Sequence, residues 1–328
     1  MSRLFRFRVI LGFAAIYLIW GSTYLAIRLG VETMPPFFLA GVRFLVGGLW
    51  LYAWARARGA EAPRKSHWKP AVVLGLLMPL GGTGLVTWAE TVVPSGLAAL
   101  LVAPVPMWVV LADWLRPRGT RPTILVIVGL ILGFTAVTLL INPTNIGGFN
   151  ELDKLGAFTI VVASLSWAIG SVYSRYCRQP SSKLLGVSMQ MIAGSAGLII
   201  LSILTGEFAR LDMSAMSLNS WLALGYLISA GNVAYAAYIW LFSVSTPAKV
   251  ATYAYVNPII ALILGYVIAG EALSVWSLGC SAIVIASVMM IIMTKATAAD
   301  SDARVGPLEQ EQLIRPRQPV TEIARPER

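Results

Sequence analysis

The sequence predicts an all-α polytopic membrane protein whose ten transmembrane helices form two inverted five-helix repeats. Three observations lead to this fold class: the composition, ten long apolar segments and an internal repeat. Of the 328 residues, 57% are hydrophobic and only 12% are charged, whereas soluble globular domains carry about 25% charged residues. Such a chain cannot cover a water-exposed surface, and its hydrophobicity also excludes a disordered protein.

Ten apolar segments are each long enough to cross a bilayer. A membrane helix needs about 20 mostly apolar residues to span the hydrocarbon core. Runs such as ILVIVGLILGF are apolar on every face, as a lipid-embedded helix requires, and lack the alternation of a membrane β-barrel. The predicted segments are residues 9–27, 36–54, 70–89, 95–115, 122–141, 155–174, 184–205, 220–242, 250–270 and 275–293.

Lysine and arginine residues cluster in alternate loops, which predicts the orientation of the chain. They precede the first segment and follow the second, fourth and sixth, whereas the opposite loops hold only Arg28, Lys154 and Arg210. Because positively charged loops stay in the cytoplasm, both termini are predicted to be cytoplasmic. The net charge of +10 therefore reflects membrane topology, and we predict no nucleic-acid partner.

The chain divides into two halves with short terminal extensions. We predict a cytoplasmic N-terminal tail at residues 1–8 and a first five-helix repeat at 9–141. An extracytoplasmic linker at 142–154 leads to the second five-helix repeat at 155–293. The tail at 294–328 is polar, contains RPRQP and ARPER, and is predicted to be a disordered cytoplasmic extension.

An internal repeat relates the two halves. An offset of 147 residues brings Trp20 onto Trp167, Arg28 onto Arg175 and Arg43 onto Gln190. The fourth and ninth segments match less strictly, since each begins near a Pro-x-x-x-Ala pattern and contains a proline. Because five is an odd number, the second half must run in the opposite direction across the membrane. Inverted repeats of this kind are typical of secondary transporters that work by alternating access.

Four stretches of the chain resemble a known family. They are WGSTYLAIRLG in the first segment, PPFFLAGVRFLVGG in the second, AETVVPSGLAALLVAPVP across the third and fourth, and ATYAYVNPIIALILG with GEALS across the ninth and tenth. Over about residues 9–295 they resemble the drug/metabolite transporter superfamily, and more closely its EamA-type ten-helix exporters, which include exporters of aromatic and other amino acids.

The resemblance implies a central cavity between the halves, walled by segments 1–4 and 6–9, with segments 5 and 10 peripheral. It implies a multi-pass protein of the bacterial inner membrane that exports small metabolites such as amino acids. The expected partners are the lipid bilayer and that small-molecule substrate. The oligomeric state is left open, and a monomer is compatible with the sequence.

Polar and aromatic residues within the spans are the candidate substrate contacts, because polar groups at membrane depth face a cavity or another helix. Aromatic rings can stack on a substrate or attract an ammonium group. Trp20 and Trp167 are the strongest pair, since the repeat places one in each half. The candidates are Trp20, Thr23, Tyr24, Arg43, Trp88, Trp108, Trp167, Gln190, Asn232, Tyr235, Tyr238, Tyr253 and Asn257.

Arg43 has two interpretations. It could bind a substrate carboxylate, or it could form a structural ion pair with Glu32 or Glu90. The structural partner is favoured, because an unpaired charge at that depth is costly. Asp113, near the end of its span, is predicted to pair with Arg116.

Three prolines are candidate hinges of the transport cycle, and one acid is a candidate proton site. Pro104, Pro106 and Pro258 lack a backbone N–H and are predicted to kink their helices as hinges. Glu90 is the one acid near a cavity mouth and is the candidate proton site. Since no span carries an acid in its middle, we favour a facilitator that moves its substrate down a gradient.

Other functions fit the sequence less well. A proton-coupled drug exporter of this superfamily is expected to have a membrane-embedded glutamate, and a nucleotide-sugar carrier is possible on fold alone. An intramembrane enzyme needs a nucleophile–base pair or paired acids at depth, and a scaffold does not need inverted halves. With one histidine and two cysteines, no cofactor and no metal site are predicted.

Overall fold

The computed structural model is all-helical over the residues it describes, which are 3–117, 119, 121–141, 151–245, 247–272 and 274–304. Within them, eight helices are long and apolar enough to cross a membrane, and the shorter apolar helices Ile124–Leu140 and Tyr253–Ala269 bring the number to ten. Large apolar side chains such as Leu11, Ile131 and Ile263 are more than half exposed. Such exposure is expected where lipid is the solvent.

The ten helices, numbered here in chain order, follow the ten predicted segments. They are α1 Arg3–Val31, α2 Pro36–Ala57, α3 Lys65–Ala89, α4 Ser95–Leu115, α5 Ile124–Ile141, α6 Glu151–Ser174, α7 Lys183–Leu204, α8 Leu218–Val244, α9 Tyr253–Ala269 and α10 Val275–Arg304. A short helix, Pro247–Val250, precedes α9. The hydroxyls of Ser182 and Ser217 cap α7 and α8 by accepting a hydrogen bond from a backbone N–H of the first turn.

Three helices extend into the predicted tails and linker. α1 begins at Arg3 within the predicted N-terminal tail, and α6 begins at Glu151 within the predicted linker. α10 continues past Met293 to Arg304, where a disordered tail is predicted. The sequence there, TKATAAD, contains three alanines and a lysine, which are strong helix formers once the chain leaves the bilayer. Linker residues 142–150 and tail residues 305–328 lie outside the described residues.

The contacts between helices follow the internal repeat. α1 contacts α8 and α9, and the equivalent helix α6 contacts α3 and α4. α2 contacts α8, and its counterpart α7 contacts α3. The helices also contact their own counterparts in the pairs α2–α7, α4–α9 and α5–α10, and each of these pairs maps onto itself when the two halves are exchanged. Exchanging helices 1–5 with helices 6–10 thus maps the main contacts onto one another, as two inverted halves require.

Prolines lie inside the helices α3, α4 and α9. α4 consists of Ser95–Val102 and Val105–Leu115, which are separated at Ala103 and Pro104. In α3 the stretch Leu76–Gly84, which contains Pro79, is π-helical and differs from the regular helix predicted there. α9 continues through Pro258. Because proline has no N–H to donate, each position removes a hydrogen bond from the helix.

Helices α3 and α7 cross in backbone contact. A Cβ added to Gly75 would lie 2.6 Å from the backbone nitrogen of Gly194, and one added to Gly194 would lie 2.6 Å from the carbonyl oxygen of Gly75. No side chain fits at either position. Small residues are the usual means by which membrane helices approach closely.

Two helices of the second half end in the same way. α7 is followed by Gly206 and α9 by Gly270, with φ of 72° and 66° respectively. Only glycine adopts this left-handed conformation without strain, and it turns the chain away from the helix axis. A glutamate, Glu207 or Glu271, follows each glycine.

These two glutamates bind the N-termini of two helices of the first half. The Glu207 carboxylate accepts hydrogen bonds from the backbone N–H groups of Phe37 and Phe38, at 3.3 and 3.0 Å. The Glu271 carboxylate accepts from Ser95 and Gly96, at 2.6 and 3.0 Å. A helix N-terminus favours a carboxylate because its free N–H groups carry partial positive charge. Both contacts therefore join the two halves.

Both contacts lie on one face of the bundle, called here the Arg28 face because the last turn of α1, which contains Arg28, lies there. The lysine and arginine distribution predicts that this face is extracytoplasmic. In this structure the two halves are joined at the Arg28 face.

Candidate functional site

A cavity of about 190 Å³ lies between the two halves. Among the described residues its lining comes from α1–α4 and α6–α9 and not from α5 or α10, which is the arrangement that the family resemblance implies. This volume corresponds to on the order of ten water molecules, so the cavity has room for a small organic molecule. The predicted site residues that line it are Trp20, Thr23, Tyr24, Arg43, Trp167, Asn232, Tyr235, Tyr253 and Asn257, with the hinge candidates Pro106 and Pro258.

Trp20 lies at the centre of an aromatic cluster on the cavity wall. Its ring centroid lies 5.9 Å from that of Tyr235, 4.9 Å from Tyr238 and 5.0 Å from Tyr253. The rings meet edge-on or tilted, which is the geometry that aromatic pairs prefer. Tyr238 packs on the other three rings without lining the cavity. The cluster brings α1, α8 and α9 together and presents aromatic surface to the cavity.

Trp167 lines the cavity from the second half. Its indole lies against the π-helical stretch of α3, where a Cβ added to Gly82 would approach the ring to 2.8 Å. The neighbouring Ser166 donates a hydrogen bond to the carbonyl oxygen of Leu77 at 2.8 Å, which fixes α6 against that stretch. Trp20 and Trp167, which the internal repeat pairs, thus both reach the cavity.

Arg43 lines the cavity and forms no ion pair with another described residue. The Nη1 of Arg43 is buried and donates no hydrogen bond. The predicted ion pair of Asp113 with Arg116 is present at 3.4 Å, but in the described part of the chain no acid lies within ion-pair distance of Arg43. The predicted structural ion pair of Arg43 with Glu32 or Glu90 is therefore not formed.

The other aromatic candidates lie outside the cavity lining. Trp108 packs on Phe134 of α5 with ring centroids 4.4 Å apart. Trp88 packs among the buried apolar side chains of the core. Depth in the membrane is readable from the sequence, but the side of the helix on which a ring lies depends on tertiary contacts.

Two polar candidates also lie outside the lining. Gln190 donates a hydrogen bond to Gln179 at 3.4 Å, so it faces the loop before α7. Glu90 follows α3 and is fully buried, and neither of its carboxylate oxygens has a hydrogen-bond partner. Its backbone carbonyl accepts a hydrogen bond from Arg28 at 2.7 Å.

Asn257 connects the cavity wall to α1. With its amide nitrogen turned towards them, Asn257 donates to the backbone carbonyls of Tyr253 and Tyr17, both at 3.3 Å. The Tyr17 hydroxyl is in turn hydrogen-bonded to Thr252. The residue before Pro258 thus fixes the start of α9 against α1.

Several lining residues are absent from the sequence prediction, among them Phe44, Thr83, Ser164 and Met191. Thr83 belongs to the π-helical stretch, for which Pro79 followed by two glycines is the available signal. The others resemble ordinary helix-packing residues and carry no signal. Within the described residues no group of three His, Cys, Asp or Glu side chains is arranged to hold a metal ion.

Comparison with known proteins places the chain in a family. The model of the EamA-like transporter family matches residues 7–142 and 154–293. An Escherichia coli K12 protein named "Uncharacterized inner membrane transporter YedA" is 40% identical over 79% of this chain and 82% of its own length. The Bacillus subtilis "Uncharacterized transporter YvbV" is 26% identical over 92% of this chain and 97% of its own length.

Two further matches are a curated relative and a solved structure. Protein PagO of Salmonella typhimurium is 30% identical over 81% of this chain and 86% of its own length. A solved crystal structure superposes with a TM-score of 0.58 at 23% identity, covering 88% of this chain and 98% of the other, and so shares the fold. The chain is therefore a membrane transporter and not an enzyme, and it belongs to the EamA-like transporter family of the drug/metabolite transporter superfamily.

Proposed function

We propose that this transporter exports small metabolites across the inner membrane, and that its main substrates are amino acids, including aromatic ones. The observation that carries the proposal is the cavity between the halves, to which each half contributes a tryptophan, Trp20 or Trp167. Aromatic faces stack on aromatic side chains and attract an ammonium group, so they suit both parts of an aromatic amino acid.

Alternating access is the proposed mechanism. The cavity is walled by eight helices, four from each half, and the halves repeat each other's contacts. Two nearly equivalent halves can rock about a site between them and expose it first to one face and then to the other. The similarity to YedA, which is named as an inner membrane transporter, supports the inner membrane as the location, and the basic loops support cytoplasmic termini.

We propose that transport is facilitated and is not coupled to protons. Of the described residues that line the cavity, none is an aspartate, a glutamate or a histidine. A proton-coupled carrier needs a group at the site that gains and loses a proton during the cycle. We therefore propose that the substrate moves down its own gradient.

A proton-coupled exporter of drugs or other metabolites is the second candidate. The observation in its favour is Glu90, which is fully buried and whose carboxylate has no hydrogen-bond partner. A movement of α3 would be enough to bring such a group to the cavity, since Thr83 and Val86 of this helix already line it.

Counterflow in proteoliposomes tests the proposal. Purified protein is reconstituted, unlabelled metabolites are loaded inside, and labelled phenylalanine is supplied outside with equal pH on both sides. We expect internal amino acids to drive uptake without a pH gradient. Exchange that requires a pH gradient and is lost in Glu90→Gln would support the second candidate. Exchange with drugs or sugars but not with amino acids would contradict the proposed substrate.

A further inference from the structure

The cavity contains a cation that forms no ion pair among the described residues. Arg43 contacts the neighbouring Phe44 ring, with its guanidinium carbon 5.2 Å from the ring centroid. Its buried Nη1 donates no hydrogen bond, and in the part of the chain that the structure describes no ion pair includes it. An unpaired buried charge is costly. A group that stays charged at membrane depth without an ion pair to the protein points to a ligand of opposite charge.

A second unpaired donor lines the same cavity. Asn232 of α8 is 4% exposed, and its amide nitrogen has no hydrogen-bond partner. An amide nitrogen can only donate, so this atom, like the guanidinium, requires an acceptor. Buried polar groups are nearly always paired in a native protein, and two unpaired donors on one cavity wall indicate a shared acceptor.

Two glycines bring these donors together. A Cβ added to Gly231, next to Asn232, would lie 3.8 Å from Nη2 of Arg43. A Cβ added to Gly47, one turn along α2 from Arg43, would lie 2.8 Å from the amide nitrogen of Asn232. Each donor thus extends over a glycine of the facing helix. The close approach of α2 and α8 holds both donors at one place.

The chemistry of this pair suits a carboxylate. A guanidinium donates through a planar fork that matches the two oxygens of a carboxylate. Asn232 adds one neutral donor and no charge, so the site balances a single negative charge rather than the two of a phosphate. The aromatic cluster around Trp20 lines the same cavity and would hold the remainder of the ligand.

Glu90 is the alternative partner for Arg43. Its carboxylate is close enough for an electrostatic interaction with Arg43, but its oxygens make no hydrogen bond and it does not line the cavity. If Glu90 were the structural counterion, removing either charge would have the same effect on the protein. The two interpretations therefore make different predictions for variants at position 90.

We propose that Arg43 and Asn232 form the carboxylate-binding part of the substrate site. The inference rests on the proposed function, because it assigns a binding group to one end of the proposed amino-acid substrate. It also extends that function, since the site selects organic acids with an apolar or aromatic body and discriminates against the corresponding amines.

The test measures binding of three probes to the full-length purified protein by quenching of tryptophan fluorescence. Phenylalanine carries both charged groups, 3-phenylpropionate only the carboxylate and phenylethylamine only the ammonium group. We expect both carboxylates to bind at least about tenfold more tightly than the amine, because only a carboxylate can accept the hydrogen bonds of the charged Arg43 guanidinium.

Variants assign the effect to the two residues. Arg43→Gln should weaken both carboxylates by about ten- to a hundredfold and leave phenylethylamine unchanged. Asn232→Leu should weaken the carboxylates by a smaller factor. Arg43→Lys, which keeps the charge, should retain part of the preference and serves if Arg43→Gln does not fold. Gln190→Leu, at the repeat-related position outside the cavity, is the matched control and should leave all three affinities unchanged.

The possible outcomes separate the two proposals. Equal binding of the amine, an equal loss of all three probes in Arg43→Gln, or a Glu90→Gln variant that reproduces every effect of Arg43→Gln would overturn the carboxylate site. Arg43-dependent binding of 3-phenylpropionate, without binding or exchange of phenylalanine, would support the carboxylate site and show that amino acids are not the substrate.

Discussion

Replacing Glu271 with alanine should open the cavity to the Arg28 face. Glu271 follows α9 in the second half, and its carboxylate accepts the hydrogen bonds of Ser95 and Gly96 at the start of α4 in the first half. If the halves separate at this face during alternating access, these bonds must break in each cycle. Glu271→Ala removes them permanently and leaves the rest of both helices unchanged.

The size of the effect follows from the two bonds. Hydrogen bonds to a charged group contribute about 1.5–3 kcal/mol each, and the lower end applies because Glu271 is partly exposed, so the pair contributes about 3 kcal/mol. If this free energy stabilises only the state closed at the Arg28 face, the open fraction rises by roughly a hundredfold. Glu271→Gln, which keeps one good acceptor but loses the charge, should have a smaller effect.

The assay is the labelling rate of a single cysteine in the cavity. Thr23→Cys is introduced into a background in which Cys177 and Cys280 are replaced by serine and alanine. A membrane-impermeant thiol reagent is then applied from the Arg28 side, and the rate is proportional to the open fraction when opening and closing are fast. Glu32→Ala, which removes an exposed carboxylate from the same face, is the matched control.

The expected result is much faster labelling in Glu271→Ala than in Glu32→Ala, with the melting temperature still showing a folded protein. Labelling at the same rate in the two variants would refute the reasoning. It would mean that the contact between α9 and α4 is static and that the halves do not separate there.

Three further predictions concern the cavity, the helix crossings and the hinge. Trp20→Ala and Trp167→Ala should each lower the apparent affinity in counterflow while expression stays intact, and normal transport in both would remove them from the site. Gly75→Ala should cost about 1–3 kcal/mol of stability because its Cβ meets backbone that cannot move aside. Gly225→Ala, whose Cβ would have nothing within 4 Å, is the control and should change stability by less than about 1 kcal/mol. Equal melting temperatures of the two variants in detergent would contradict this prediction. Pro258→Ala should slow exchange, and unchanged kinetics would show that this proline plays no part in the movement.

Most of the fold is predictable from the sequence because hydropathy and charge are local signals. A lipid-facing helix must be apolar along its length, so the segments follow from short windows, and the basic loops add a prediction of the orientation. The helix ends are less predictable. α10 continues to Arg304 because alanine and lysine keep a helix intact outside the bilayer, although the same residues count as polar in a search for membrane spans.

The site is predictable only in part because it depends on contacts between distant residues. The repeat pairs Trp20 with Trp167, and both line the cavity. Trp108, of the same type and similar depth, packs instead on Phe134 of α5. The cost of an unpaired charge favours a protein partner for Arg43, but the partner that this reasoning requires is not found among the described residues. Local rules therefore identify the residues that need a partner and not the partner itself.

The most direct test of the account asks whether the transported substrate occupies this cavity. In proteoliposomes that exchange phenylalanine, the Thr23→Cys variant is labelled with a thiol reagent at increasing substrate concentrations. We predict that phenylalanine slows the labelling of Cys at this position, with half-maximal protection at the concentration that half-saturates counterflow. Labelling that stays unchanged while counterflow continues would show that the substrate passes elsewhere, and it would contradict the assignment of the cavity between the two halves as the transport site.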